Sequence, residues 1–569
     1  MKKSEKHRGA ARRLIALTLA GTLVIQYLHG QERVDRESIT YPGARLHFSE
    51  VTEQSGDFQQ SLVTWRSSFV DLNQDGCFDI VYGSHSDSQY RPVYLQNRAA
   101  SGCLATFVLL DNSIARYVQS SPQIPRITSN NWYYNVRNNP GGEPDLGGDD
   151  SDGSAPALYP FDAIVNGLPR WGDKISLPGS LDGKPLTLVF DADGNGVMDV
   201  LSWRRNTGDL RVSNASTGQI LWTGKSTYAH PYLVFDIDGD GWPDMYPVMN
   251  GKSKAGSPGY WKSDTDGTFT WTTGAFSAWD GVQSFTPGQS EGAAGGLSFV
   301  FDYDLDGDFD IFIGEGARDT TPSQFCVTVQ INNGDGTYTS DEQILGCLQE
   351  VRRNQTVPYG KSVAADFDNN GYVDIMFNQA STAISLSVQN YFFYMNFGGQ
   401  FYLSETTPNF GGGEGGLGVA PGVADFDNDG DLDITKPSSR GTISVWENRT
   451  STGNRWLNMT IRGFGGNTDG IHTIVTAYRP STTQIVASYQ KLTIATAYST
   501  SGHHLGLGEN DMVDLRVTYP HGGPNYWYRN VNANQHVILF RDGCMGEGYA
   551  PGGKLPVQSS QVSCTTPDE

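Results

Sequence analysis

Short apolar runs rich in β-branched and aromatic residues recur along the chain, paired across polar interruptions. TLVF (187–190), YLVF (232–235), LSFVF (297–301) and SVAA (362–365) each lead into a polar stretch. DIVYG (79–83), DIFIG (310–314) and DIMFN (374–378) lead out of one. Runs of this length and composition, bounded by Gly, Asn and Asp, predict strands rather than helices. The 68 Gly and 27 Pro, with few long Leu/Ala/Glu/Lys runs, point the same way. A second class of turn recurs in SDTDGTFTW (263–271), NNGDGTYTS (332–340) and NFGGQFYLS (396–404), which read as hairpins.

The polar interruptions share one pattern. DLNQDGCFD (71–79), DADGNGVMD (191–199), DIDGDGWPD (236–244), DYDLDGDFD (302–310), DFDNNGYVD (366–374) and DFDNDGDLD (425–433) all obey D-x-[DN]-x-[DN]-G-x-x-D. Oxygens at positions 1, 3 and 5 converge when the backbone winds around a point. Glycine at 6 permits the sharp turn, the carbonyl of 7 can point inward, and aspartate at 9 closes the cage. The candidate metal ligands are Asp71, Asn73, Asp75 and Asp79; Asp191, Asp193, Asn195 and Asp199; Asp236, Asp238, Asp240 and Asp244. The later loops add Asp302, Asp304, Asp306 and Asp310; Asp366, Asp368, Asn370 and Asp374; Asp425, Asp427, Asp429 and Asp433. Asp308 and Asp431 fall at position 7, with only a carbonyl to offer and side chains expected to face outward. A hard cation, calcium before magnesium, suits such an irregular oxygen set. An EF-hand would need Glu at position 12, which is Tyr82, Ser202, Pro247, Ile313, Phe377 or Lys436 here, and helices at the flanks.

The six motifs start at 71, 191, 236, 302, 366 and 425, mostly about 60 residues apart with one gap twice as long. That period suits one four-stranded propeller blade. A degenerate seventh blade fits the long gap, with the acidic run at 145–162 as its loop remnant. LHFSEVTEQSG (46–56) parallels FYLSETTPNFG (401–411), as expected if the N-terminal strand completes the last blade. The predicted fold is all-β: a seven-bladed β-propeller over 31–450, a small β domain over 451–541 and a C-terminal tail over 542–569.

The formal net charge of −22 opposes binding to nucleic acid phosphates, and six divalent ions would offset more than half of it. Six basic residues precede the apolar run Leu14 to Leu28, too short for a comfortable membrane span. This reads as a signal peptide over 1–30 with cleavage near Gly30, or alternatively an N-terminal anchor; no other segment is apolar enough to span a bilayer. The six cysteines fall as neighbours, predicting disulfides Cys77–Cys103, Cys326–Cys347 and Cys544–Cys564 in an exported chain.

The nonamers, their strand flanks and their period together resemble the FG-GAP/VCBS repeats of integrin-α-type β-propellers. In that family calcium in the blade loops is usually structural. After Asn454 the text changes to Asn454-Arg455-Trp456-Leu457, Asp469-Gly470-Ile471, LGLG (505–508) and VDLRVTYPHG (513–522). These resemble the ASPIC/UnbV module, which follows such a propeller in the cartilage acidic protein family. The usual Gly-Ala-Arg after Asp-Gly-Ile is His472-Thr473-Ile474 here, and two C-terminal cysteines cannot supply the EGF-like module of the vertebrate members.

No H-E-x-x-H, G-x-S-x-G or P-loop text is present. His503 and His504 are adjacent, so a strand would send them to opposite faces. Trp132, Tyr133 and Tyr134 in NNWYYNVRNNPGG (130–142) would either stack on a sugar or protein partner or sit in a loop over a blade. Trp203, Trp222, Trp242, Trp261, Trp271 and Trp279 read as inter-blade core, and sequons stand at Asn214, Asn354, Asn448 and Asn458. The expectation is a secreted, monomeric, calcium-stabilised binding, adhesion or scaffold protein for an extracellular protein or glycan. The alternative is a propeller enzyme acting on polysaccharide, a lyase or hydrolase, or a natural-product tailoring protein.

Overall fold

The computed structural model describes residues 18–19, 22–23, 42–43, 46–52, 66–73, 75–83, 93–99, 102–109, 127–134, 136, 139, 145–150, 156–165, 168–172, 175–182, 186–204, 207–226, 232–247, 259–276, 298–314, 325–348, 362–379, 390–404, 421–436, 444–463, 467–492, 503–547 and 563–565. Every named element among them is a strand. None of them forms a helix long and apolar enough to cross a membrane. Residues 1–39 form a unit of their own, in which Thr18–Leu19 pairs with Thr22–Leu23. The rest of the expected signal segment lies outside the described residues.

Each nonamer is a strand–strand connection. In the third blade Leu186–Phe190 ends in register with Asp199–Trp203, Phe190 opposite Asp199, with the nonamer between them. Asp209–Asn214 and Ile220–Lys225 complete an antiparallel sheet of four. The second strand is buried along its whole length, which is why it reads DVLSW without a polar alternation. Among the described residues, seven four-stranded sheets of this kind precede residue 451. The last is built from Gly422–Ala424, Asp433–Lys436 and Ser444–Asn448, and Phe48–Glu50 supplies its fourth strand as expected. The ring closes on the first blade: Gly422 N–H donates to Ser67 Oγ at 2.9 Å, and Ser67 Oγ–H donates to the Thr435 carbonyl at 2.9 Å.

The long gap holds a blade whose strands are Ile127–Tyr134, Asp145–Asp150, Ala157–Tyr159 and Ile175–Ser176. Two expectations change here. Trp132, Tyr133 and Tyr134 lie on a blade strand, not in a covering loop. The acidic run from 145 contributes the strands Asp145–Asp150 and Ala157–Tyr159 rather than a loop remnant.

The C-terminal residues form a two-sheet sandwich. One sheet runs His503–Gly508, Arg455–Arg462, Gln535–Phe540, Cys544–Glu547, Ser563–Cys564; the other runs Ile485–Gln490, Ile474–Tyr478, Met512–Thr518, Asn525–Asn532. Leu457, Ile461, Val475, Leu515 and Val537 fill a common core between them. Cys544–Glu547 and Ser563–Cys564, from the expected tail, are strands of the first sheet, joined by the Cys544–Cys564 disulfide. Cys77 and Cys103 are also bonded, and Cys326 and Cys347 stand opposite in register with side chains outside the described residues. The sandwich sits on the nonamer end of the ring. His521 N–H donates to the Gly241 carbonyl, Asn467 N–H to that of Gly196, and Gly508 N–H to that of Asn369.

Candidate metal centres

The six nonamers are wired alike. The position-6 glycine donates its N–H to the position-1 carboxylate in every copy: Gly76 to Asp71, Gly196 to Asp191, Gly241 to Asp236, Gly307 to Asp302, Gly371 to Asp366 and Gly430 to Asp425, at 2.7–3.1 Å. The residue at position 7 donates to the side-chain oxygen at position 5, from Asp75 and Asn195 to Asp240, Asp306, Asn370 and Asp429. The glycine takes a positive φ in all six, from 79° at Gly196 to 104° at Gly307, where a Cβ would be strained. Position 4 is also left-handed at Gly194, Gly239, Leu305, Asn369 and Asn428, a requirement the motif does not spell out.

Position 9 does more than close a loop. One oxygen of Asp79, Asp199, Asp244, Asp310, Asp374 and Asp433 accepts the position-2 N–H. The other oxygen of Asp244, Asp310, Asp374 and Asp433 accepts an N–H from the third strand, from Ser263, Asn332, Asn396 and Asn448. Each is a latch between loop and sheet, with lone pairs still available to an ion. Asp145 likewise accepts two backbone N–H groups in the second blade, from Val136 at 3.1 Å and from Phe161, just past the third strand, at 2.8 Å. That blade has kept the latch and lost the rest of the nonamer, which the turn text NNPGG before Asp145 could have signalled.

Carboxylate oxygens of Asp191, Asp193 and Asp199 lie within 4.8 Å of one another, as do those of Asp236, Asp238 and Asp244 and of Asp366, Asp368 and Asp374. So do those of Asp302, Asp304 and Asp306, and of Asp425, Asp427 and Asp429. Burial pushes Asp199, Asp244 and Asp310 up to about 8 and Asp71 and Asp302 to about 7, and neighbouring carboxylates add to it. Asp427 is driven up to about 7 by the same two causes. Oxygens Oδ1 of Asp191, Asp238 and Asp425 are buried without a hydrogen bond. Buried, crowded and unpartnered oxygens that converge on one point fit a hard divalent cation.

Neighbouring blades are tied through position 2. Asn396 Nδ2 donates to the Tyr303 carbonyl, Asn448 Nδ2 to Phe367 and Tyr338 Oη to Ile237. Three of the four sequons are consumed by such roles: Asn214, Asn448 and Asn458 are buried, and Asn354 lies outside the described residues. Asn458 donates to Asp425 at 2.6 Å and its amide oxygen meets His504 at 2.7 Å. His504 also reaches Asn369 at 2.6 Å, whereas His503 pairs with Tyr489, so the two histidines diverge as a strand requires. Trp242 leaves the inter-blade core to pack edge-on against His521 of the sandwich, 4.8 Å between centroids. Trp203 is core, Trp222, Trp261 and Trp271 form a chain of ring contacts, and Trp279 lies outside the described residues. Asp431 is not turned out to water: its Oδ1 accepts from Asn369 of the adjacent loop at 2.9 Å.

None of the curated proteins compared matches the sequence. Among solved structures, the Tc holotoxin pore of Photorhabdus luminescens aligns at 12% identity and TM-score 0.35, over 84% of this chain and 18% of that one. This chain thus spans under a fifth of that neighbour. The WD40 domain of Toxoplasma gondii coronin aligns at 10% identity and TM-score 0.38, over 72% of this chain and 87% of that one. BBS1N, solved in complex with ARL6DN, aligns at 11% identity and TM-score 0.38, over 73% and 99%. Residues 366–435, from the sixth blade's nonamer through the seventh's, match the model of the FG-GAP-like repeat.

Proposed function

We propose that this chain is an exported, calcium-stabilised β-propeller that binds an extracellular protein or glycan and acts as an adhesion or scaffold protein. The observation that carries the proposal is the common wiring of the six nonamers, with buried oxygens of Asp191, Asp238 and Asp425 left without a protein donor. In that reading each calcium neutralises its loop and fixes the first hairpin of its blade. Two disulfides and the FG-GAP-like match fit an oxidising, extracellular setting. The sandwich is read as an ASPIC/UnbV-type module that caps the nonamer end. Antiparallel strands alternate in direction, so the second strand of each of the blades ends, and the third begins, at the opposite end. A partner would be met there, with calcium keeping the scaffold rigid behind it.

Thermal unfolding of the whole chain with calcium and with chelator, beside metal content by mass spectrometry, tests the scaffold. Several calcium equivalents per chain and a large chelator-induced loss of stability are expected. An unchanged melt and no bound calcium would overturn it. Binding of the calcium-loaded chain to glycan and protein arrays, lost in chelator, tests the partner.

A further inference from the structure

The fourth blade's nonamer differs from those of the fifth, sixth and seventh blades in what lies beside it. Lys262, on the third strand, places its ammonium against Asp238 Oδ2 and at 2.6 Å from Asp240 Oδ2. Tyr260 adds its hydroxyl to the same Asp238 oxygen at 2.9 Å. The position is fixed by the latch, because Ser263 N–H bonds Asp244. The same bond in the fifth, sixth and seventh blades makes the equivalents of Lys262 the residues Ile331, Met395 and Glu447. Two are neutral, and Glu447 is occupied by Arg449 at 2.8 and 2.9 Å.

The oxygen that Lys262 takes matters. Asp240 Oδ1 is spent on the Trp242 N–H, as Asp306 and Asp429 spend theirs on position 7, so Oδ2 is the one left to face an ion. In the fifth and seventh blades the converging set includes the position-5 aspartate; in the fourth it is Asp236, Asp238 and Asp244, with Asp240 turned to the lysine.

Resting on the calcium reading above, we propose that Lys262 is a built-in cation for the fourth loop, which therefore takes calcium later and more weakly than the fifth, sixth and seventh loops. An ammonium within contact of two ligands both repels a dication and competes for its oxygens, so removing it should tighten that one site by on the order of tenfold or more.

The test is calcium titration of the whole chain by calorimetry, with calcium counted by mass spectrometry at equilibrium. Parent, Lys262→Met and Lys262→Met/Asp236→Asn are compared, methionine being what the sixth blade carries. The parent should show at least one weak equivalent beside tight ones, and Lys262→Met one more tight equivalent than the parent. The gained equivalent should disappear again in the double variant. Six equal sites in the parent, or no gain in Lys262→Met, would overturn the role of Lys262 while leaving the calcium reading intact. No calcium in either protein would overturn both.

Discussion

Asp433→Ala separates the latch from the ion. Asp433 is fully buried and accepts two backbone N–H groups, from Phe426 at 3.1 Å and Asn448 at 2.8 Å. Alanine leaves both donors buried and unpaired, at about 1–3 kcal/mol each, so the seventh blade should lose ~2–6 kcal/mol before any calcium term. Set against about 5–15 kcal/mol for a typical domain, that is a large fraction. Asp433→Asn keeps one acceptor and should lose roughly half as much. The assay is amide hydrogen exchange of peptides spanning 422–448 in chelator, where no calcium contributes. Exchange at Phe426 and Asn448 should accelerate at least about thirtyfold in the alanine variant, since each 1.4 kcal/mol is tenfold. If chelated parent and variant exchange alike and differ only in calcium, position 9 is a ligand and nothing else, and the latch is wrong.

Three further outcomes are expected. The chelated chain should lose stability as pH rises. Carboxyls held near 7 to 8 in the fold keep protons that the unfolded chain gives up near pH 4, so their contribution is full below about pH 4 and gone above about pH 8. Calcium should reverse that slope, and melts at pH 5 and 8 with and without the ion read it directly. Asn396→Ala strips the Tyr303 carbonyl of its donor from the next blade and should cost about 1–3 kcal/mol in denaturant unfolding with little change in bound calcium. Gly430→Ala would put a Cβ 1.8 Å from the Trp456 ring at a φ of 96° and should loosen the sandwich, seen as faster proteolysis around 449–455.

Much of the propeller is legible because it is local. Nine residues carry their own turn, donors and acceptors, and strand flanks follow from β-branched runs, so six loops and the closing strand Phe48–Glu50 can be read directly. The second blade's place in the long gap is legible too, but the position of its loop is not, because it kept Asp145 alone of the nonamer. Nor is the seat of the sandwich: His521 to Gly241 and His504 to Asn369 span 280 and 135 positions, and nothing local announces them. The same holds for Lys262, 22 positions from Asp240, whose place depends on strand register.

The crowding of aspartates then has two physical causes that one pattern merges. At position 1, one oxygen is spent on the glycine N–H that shapes the turn; in the third and seventh blades the other, Oδ1 of Asp191 and Asp425, is left buried without a partner. At position 9 of the fourth to seventh blades both oxygens hold backbone, as those of Asp145 do in the second blade without the rest of the nonamer. Loop shape is thus held by hydrogen bonds within the nonamer. A cation bound there would relieve the cost of burying several carboxylates together, which pushes Asp191 up to about 6 and Asp199 and Asp310 up to about 8. Preorganisation of this kind lets each loop be tuned by what packs against it, as Asn458 does at Asp425 and Lys262 at Asp238, without altering the nonamer itself.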